Sequence, residues 1–156
     1  MNKTKNLIAL ISVVLITSCG TLSMVPIQPD SKTKIINVEN NNKQDLFIKA
    51  NNWMAETFND AKSVIQFTDK ESGVVTGRYL MKSIITSTTT RENVYAIIKI
   101  QVKDNVAKIE IKPNSYVNSY NSFAGGESFP IEKANSSMEL LMASFEVAIK
   151  AKKDSF

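Results

Sequence analysis

A chain of 156 residues, 43% of them hydrophobic and 22% charged, holds enough apolar material for one domain with a real core and too little for two. It contains no His, which removes the commonest general base and zinc ligand, and its one Cys, Cys19, leaves no intramolecular disulfide or CxxC pair. Basic residues number 19 against 15 acidic ones, a net charge of +4; Lys3 and Lys5 belong to a segment expected to be removed, so the high pI is no argument for nucleic-acid binding.

That segment, Met1 to Ser18, has the three parts of a secretory signal: basic Lys3 and Lys5, an apolar run from Leu7 to Ile16, and small residues before Cys19. The run is short for a membrane-spanning helix. Ile16-Thr17-Ser18-Cys19 resembles the bacterial lipobox, with its aliphatic residue, two small residues and Cys at the end of the apolar run. The resemblance implies cleavage before Cys19, which then carries a thioether-linked diacylglycerol with palmitate-type chains. Gly20 stands where an Asp would retain a lipoprotein in the inner membrane, and no acidic cluster follows, so the expected location is the outer membrane, facing the periplasm. Gly20 to Asp30, with Pro26 and Pro29, lacks periodicity and reads as a tether. The expected organisation is a lipoprotein signal over 1–18, a lipidated tether over 19–32 and a single domain over 33–153.

Thr33 to Val38 is β-branched enough for a first strand, and the Asn-rich stretch after it offers Asn42 as an N-cap, with Asp45 in the first turn of a helix. From Lys43 to Phe58, the residues Leu46, Phe47, Ala50, Trp53, Met54 and Phe58 recur at three- and four-residue steps, which gathers them on one helical face. A strand over Ser63 to Thr68 leads into Asp69-Lys70-Glu71-Ser72-Gly73, a hairpin-turn composition with Gly available for positive φ. Val74 to Thr86 alternates, with Val75, Gly77, Tyr79, Met81 and Ile85 on one side and Thr76, Arg78, Leu80 and Lys82 on the other. Asn93 to Lys103 and Val106 to Lys112 repeat the pattern around an Asp104-Asn105 turn. Asn114 to Pro130 reads as a long loop containing Tyr116, Tyr120, Phe123 and Phe129. A final apolar stripe from Ile131 to Ile149 is helical, with Ser136 and Glu139 spaced as a capping box that would start the regular helix at Ser136.

Leu46-Phe47, Trp53-Met54-Ala55, Thr57-Phe58, Val64-Ile65-Gln66-Phe67, the Asp69–Gly73 turn and Gly77 are similar, in residue and order, to the domain of unknown function with a TBP-like fold found in many bacterial lipoproteins. The likeness covers Ile35 to Pro113 and is densest from Leu46 to Gly77. It implies an α+β domain of order β-α-β-β-β-β-α, with an antiparallel sheet of about five strands and two helices on one face. It implies an envelope lipoprotein and brings no catalytic residues with it.

Trp53 lies on the apolar helix face and is expected in the core. The two acids of Asp69–Gly73 are better explained as turn residues than as metal ligands, and no cofactor or metal is expected. Without His, nucleophilic catalysis would need a Lys or carboxylate base, and no Ser or Thr sits in a G-x-S-x-G or S-x-x-K setting. The alternation instead places Arg78, Lys82, Lys99, Lys108 and Lys112 with Leu80, Tyr95 and Ile97 on the sheet face away from the helices, against one acid, Glu110. The expected function is a non-enzymatic binding or assembly role in the envelope. The membrane is engaged through the lipid on Cys19, and an envelope protein or an anionic lipid or glycan is met on this face; nucleic acid is not expected. The alternative from another class is a small hydrolase or carbohydrate-acting accessory protein using Glu56, Asp60, Asp69 and Glu71. A structural subunit pairing through its open face or edge strand is a third reading.

Overall fold

A computed structural model describes residues 26–58, 64–86, 89–118 and 128–152. Cys19 and the signal segment lie outside the described residues. Nine elements follow in order: β1 (Pro26–Ile27), β2 (Lys32–Asn37), α1 (Lys43–Thr57), β3 (Ile65–Asp69), β4 (Val74–Ile85), β5 (Arg91–Lys103), β6 (Val106–Pro113), β7 (Tyr116–Val117) and α2 (Ile131–Lys150). Strands β2 to β6 form one antiparallel sheet of order β2-β6-β5-β4-β3, and β1 pairs with β7 in a separate two-stranded ribbon. Both helices lie on the same face of the large sheet, so the α+β architecture expected from the sequence is the one found.

Local chemistry sets the element ends. The Asn42 side chain accepts from the Asp45 amide at 2.8 Å, which satisfies one of the orphan donors of the first turn of α1. In the β3–β4 turn, Asp69 Oδ1 accepts from the Glu71 and Ser72 amides at 2.9 and 3.1 Å, and the Ser72 hydroxyl, with these amides, holds the Asp69 carboxyl below the usual range. Gly73 closes that turn at φ 69°, and a Cβ there would stand 2.5 Å from the Val102 carbonyl oxygen. Only Gly fits both constraints. At Gly77 a Cβ would collide with the Met54 side chain, so the missing side chain lets α1 settle close on β4.

The main core combines Leu46, Ala50, Trp53 and Met54 of α1 with Met138, Met142, Phe145 and Ile149 of α2 over the inward residues of the sheet. Trp53 is buried as expected; its Nε1 donates to Ser144 Oγ at 3.1 Å, and its ring meets that of Phe145 edge-on at 5.0 Å. A second cluster of Ile84, Val94, Tyr116, Phe129 and Ala134 closes one end of the sheet.

That second cluster accounts for three departures from the sequence reading. First, α2 begins at Ile131 and not at Ser136: Pro130 supplies a fixed φ of −65° and its carbonyl accepts from Lys133 and Ala134, while burial of Ala134 secures the added turn. Second, the stretch from Asn114 to Pro130 is ordered at both ends. Tyr116 Oη donates to the Phe129 carbonyl at 2.6 Å and the Phe129 amide donates to Asn118 Oδ1 at 2.9 Å. Tyr120 and Phe123 lie outside the described residues. Third, the last part of the segment read as a tether is built into the domain, because Pro26–Ile27 pairs with Tyr116–Val117 and Gln28 Nε2 donates to the Pro113 carbonyl at 3.2 Å.

Ion pairs tie the outer strand β2 to α2. Lys32 pairs with Glu139 and Lys34 with Glu146, which also receives Lys150 at 2.6 Å. Hydrogen bonds from Lys150 and then Lys34 lower the Glu146 carboxyl to about 2. A depressed folded-state pKa contributes stability above the ordinary carboxyl value of 4.5, and that contribution disappears as pH falls through about 2. The melting-temperature gap between the native chain and Glu146→Gln is therefore expected to shrink steadily over that acid window. The pairs are partly exposed, so high salt narrows the gap as well. A gap independent of pH would show that these pairs do not link β2 to α2 in solution.

Candidate binding face

The face of the sheet turned away from the helices is left uncovered by every described element. Antiparallel register determines what it presents, since directly paired residues share a face. Lys112, Ile97 and Arg78 stand side by side on β6, β5 and β4. The next row is Glu110, Lys99 and Thr76, followed by Lys108, Gln101 and Val74. On the other side of the Ile97 row, Tyr95 stands beside Leu80.

Seven of the eight residues expected on this face are there: Arg78, Leu80, Tyr95, Ile97, Lys99, Lys108 and Lys112. Lys82 is not. A β-bulge at Met81 shifts the register between Leu80 and Lys82, so Lys82 pairs with buried Val94 and projects toward the helix side. The same shift puts Ile84, not Ile85, in the core. Strict alternation across twelve residues cannot reveal the extra residue.

The Arg78 guanidinium lies 3.8 Å from the centroid of the Tyr95 ring, a stacked cation–π pair. The exposed large apolar side chains Ile35, Phe67, Leu80 and Ile97 are 66%, 56%, 49% and 38% accessible, and the pairing places all four on this face. Sequence reasoning missed Ile35 and Phe67. For Ile35 the signal was available in the alternation of β2, whereas Phe67 depends on a second register shift between Ile65 and Phe67. Cations dominate the charge: Arg78, Arg91, Lys99, Lys103, Lys108 and Lys112 stand against Glu110 and Asp69.

Both sheet edges are poorly suited to pairing. β2 turns Lys32 and Lys34 inward to their glutamates, and β3 has five residues and a bulge. A cleft between the β2–α1 connection and the end of α2 is lined in part by Lys49, whose Nζ donates to Asn41 Oδ1 and to the Ile149 and Ala151 carbonyls at 3.0, 3.3 and 2.6 Å. Lys49 thus caps α2. Of the carboxylates considered for catalysis, Asp69 is engaged by its turn, Glu56 and Glu71 are exposed, and Asp60 lies outside the described residues. Among the described residues, no group of three or more His, Cys, Asp or Glu side chains is placed to hold a metal ion, and no helix is long and apolar enough to cross a membrane.

No curated protein matches the chain. A TBP-like protein from Parabacteroides distasonis ATCC 8503, whose crystal structure is known at 1.90 Å, is similar at a TM-score of 0.57 and 14% identity, over 79% of this chain and 94% of its own. A DUF4468 family protein from Bacteroides ovatus ATCC 8483 is similar at a TM-score of 0.51 and 14% identity, over 82% of this chain and 93% of its own. At such identities the likeness concerns the fold alone. The sequence model of the family described as domain of unknown function (DUF4468) with TBP-like fold matches residues 33–116, which run from β2 through the whole sheet to the first residue of β7. The chain belongs to that family.

Proposed function

We propose that the protein is an outer-membrane-anchored lipoprotein, facing the periplasm, whose domain works by binding an anionic partner on its open sheet face and not by catalysis. One observation carries this reading: the face left bare by the helices gathers exposed apolar side chains among an excess of cations, with Arg78 stacked on Tyr95. An ordinary solvated face would spread polar residues between its strands and show fewer large apolar groups. The lipobox-like Ile16-Thr17-Ser18-Cys19 supports the envelope location. The position of Asp69, held by its own turn, supports a non-enzymatic role over the carboxylate hydrolase. A fold shared with a DNA-binding protein carries no function by itself.

Charge reversal at Lys99 and Lys108 together is expected to cut recovery of the envelope component that co-purifies with the lipidated protein by roughly tenfold or more, with the melting temperature nearly unchanged. Val147→Glu, on the outer side of α2, serves as the control and leaves recovery intact. Unchanged recovery with the double reversal would end the assignment of this face.

A further inference from the structure

Pro26, the first described residue, and the part of the open face with the larger excess of cations lie at the same end of the domain. Pro26 and Ile27 pair with Val117 and Tyr116, and the Val117 amide donates to Glu92 Oε2 at 3.0 Å. The Asn114 amide donates to the Tyr95 carbonyl at 2.9 Å, so the ribbon sits directly beyond the Tyr95 row of β5. The chain preceding Pro26 thus leaves the domain beside Glu92 to Tyr95. Seven residue steps separate Cys19 from Pro26, and at roughly 3.3–3.6 Å per residue they reach no farther than about 25 Å. A lipid on Cys19 would hold this end of the sheet close to the bilayer that receives it.

Here the open face presents Arg78, Arg91 and Lys112 around Leu80, Tyr95 and Ile97, whereas Glu110 and Asp69 stand in rows farther from the ribbon. The apolar side chains alternate with cations instead of lining a walled groove. A fluid layer of phosphates over acyl chains suits that arrangement better than a shaped peptide does. A second copy of the chain would bring cations against cations.

We infer that this end of the sheet face rests on the membrane in which the Cys19 lipid is inserted, with Arg78, Arg91 and Lys112 on anionic lipid phosphates and Leu80, Tyr95 and Ile97 at the boundary between headgroups and acyl chains. The inference rests on the lipoprotein reading above and names the partner of the same face. An acyl anchor fixes distance, and the basic patch adds orientation as the second of the two signals that stable membrane attachment uses.

The test uses residues 20–156 without lipid, sedimented with vesicles of phosphatidylcholine alone or mixed with phosphatidylglycerol. Both buried clusters form among residues 26–152, so this chain keeps its full described core. Binding is expected to the mixed vesicles only and to fall with added salt. Arg78→Glu and Lys112→Glu are each expected to lower partitioning by about fivefold or more, given the attraction of a single basic residue near an anionic surface. Lys103→Glu, at the far end of the same face, is expected to change it less. Equal partitioning to both vesicles, or an equal loss from Lys103→Glu and Arg78→Glu, would overturn the inference. If the domain ignores vesicles while the lipidated protein still recovers a component through Lys99 and Lys108, the membrane inference fails and the broader binding role stands. Vesicle binding together with an unlipidated Cys19 in the native envelope would reverse that outcome, retaining the membrane face and removing the anchor.

Discussion

Cys19→Ala is expected to abolish fatty-acid labelling of the protein and to leave residues 1–18 attached, so that intact mass rises and the outer-membrane fraction empties. The expectation follows from the chemistry of the position. A thiol can form the thioether to diacylglycerol, and no other residue of the chain offers one, because Cys19 is its only Cys. Each buried CH₂ of an acyl chain contributes about 0.8 kcal/mol, and a single chain gives only reversible attachment; the several chains of a lipidated Cys make attachment stable. Losing them therefore removes the dominant part of the attachment and leaves only the weaker, salt-sensitive attraction of the basic face. The uncleaved apolar run from Leu7 to Ile16 is expected to retain the variant as a precursor elsewhere in the envelope. Mass spectrometry of both proteins separates the outcomes: a mass that differs only by the sulfur lost in the substitution, with persistent labelling, would remove the lipoprotein reading, whereas the fold would be untouched. The first residue of the domain's own pairing, Pro26, lies beyond the lipidation position, so the variant keeps its folded core.

What was legible in the chain depended on the range of the interaction that decides each feature. Asn42 capping, the Asp69–Gly73 turn and the helical stripe through Trp53 and Met54 are settled by neighbours a few residues away, and they stand in the structure as read. The start of α2 was missed because the Ser136–Glu139 spacing is a local signal, whereas the added turn is held by Ala134 packing among Tyr116, Phe129 and Val94, distant in sequence. The bulge at Met81 has no marker such as Gly or Pro, and it moved Lys82 off the open face while bringing Ile84 inside. The rest of that face was legible because period-two alternation in β5 and β6 survives without interruption from Val94 to Lys112 around a two-residue turn. The pairing of Pro26–Ile27 with Tyr116–Val117 could not be read, since two residues carry no period. Yet that pairing brings Pro26, seven residues after Cys19, to the Tyr95 end of the sheet, the juxtaposition on which the inferred membrane orientation depends.

Phe145→Ala is expected to destabilise the domain by about 3–5 kcal/mol, the usual cost of emptying a fully buried aromatic position. Phe145 has no accessible surface and meets Trp53 edge-on, so its removal opens a cavity at the seam between α1 and α2. Trp53 loses that ring contact and keeps the one with Phe58 at 5.9 Å, along with its hydrogen bond to Ser144. The seam can collapse little, because Ala50, Met54 and Met138 of the same core cluster are already fully buried in a close-packed interior. Against a typical total of about 5–15 kcal/mol, this is a large share, and thermal unfolding should register it as a drop on the order of 10 °C. The position also lies on the helix side of the sheet, away from Arg78, Tyr95 and Lys112. Below its new melting temperature, Phe145→Ala is expected to sediment with phosphatidylglycerol-containing vesicles as the native domain does, whereas Arg78→Glu loses binding at nearly native stability. Those opposite profiles separate a face that binds from a core that merely supports it; a parallel loss of binding and stability in both variants would show that the face has no role apart from the fold.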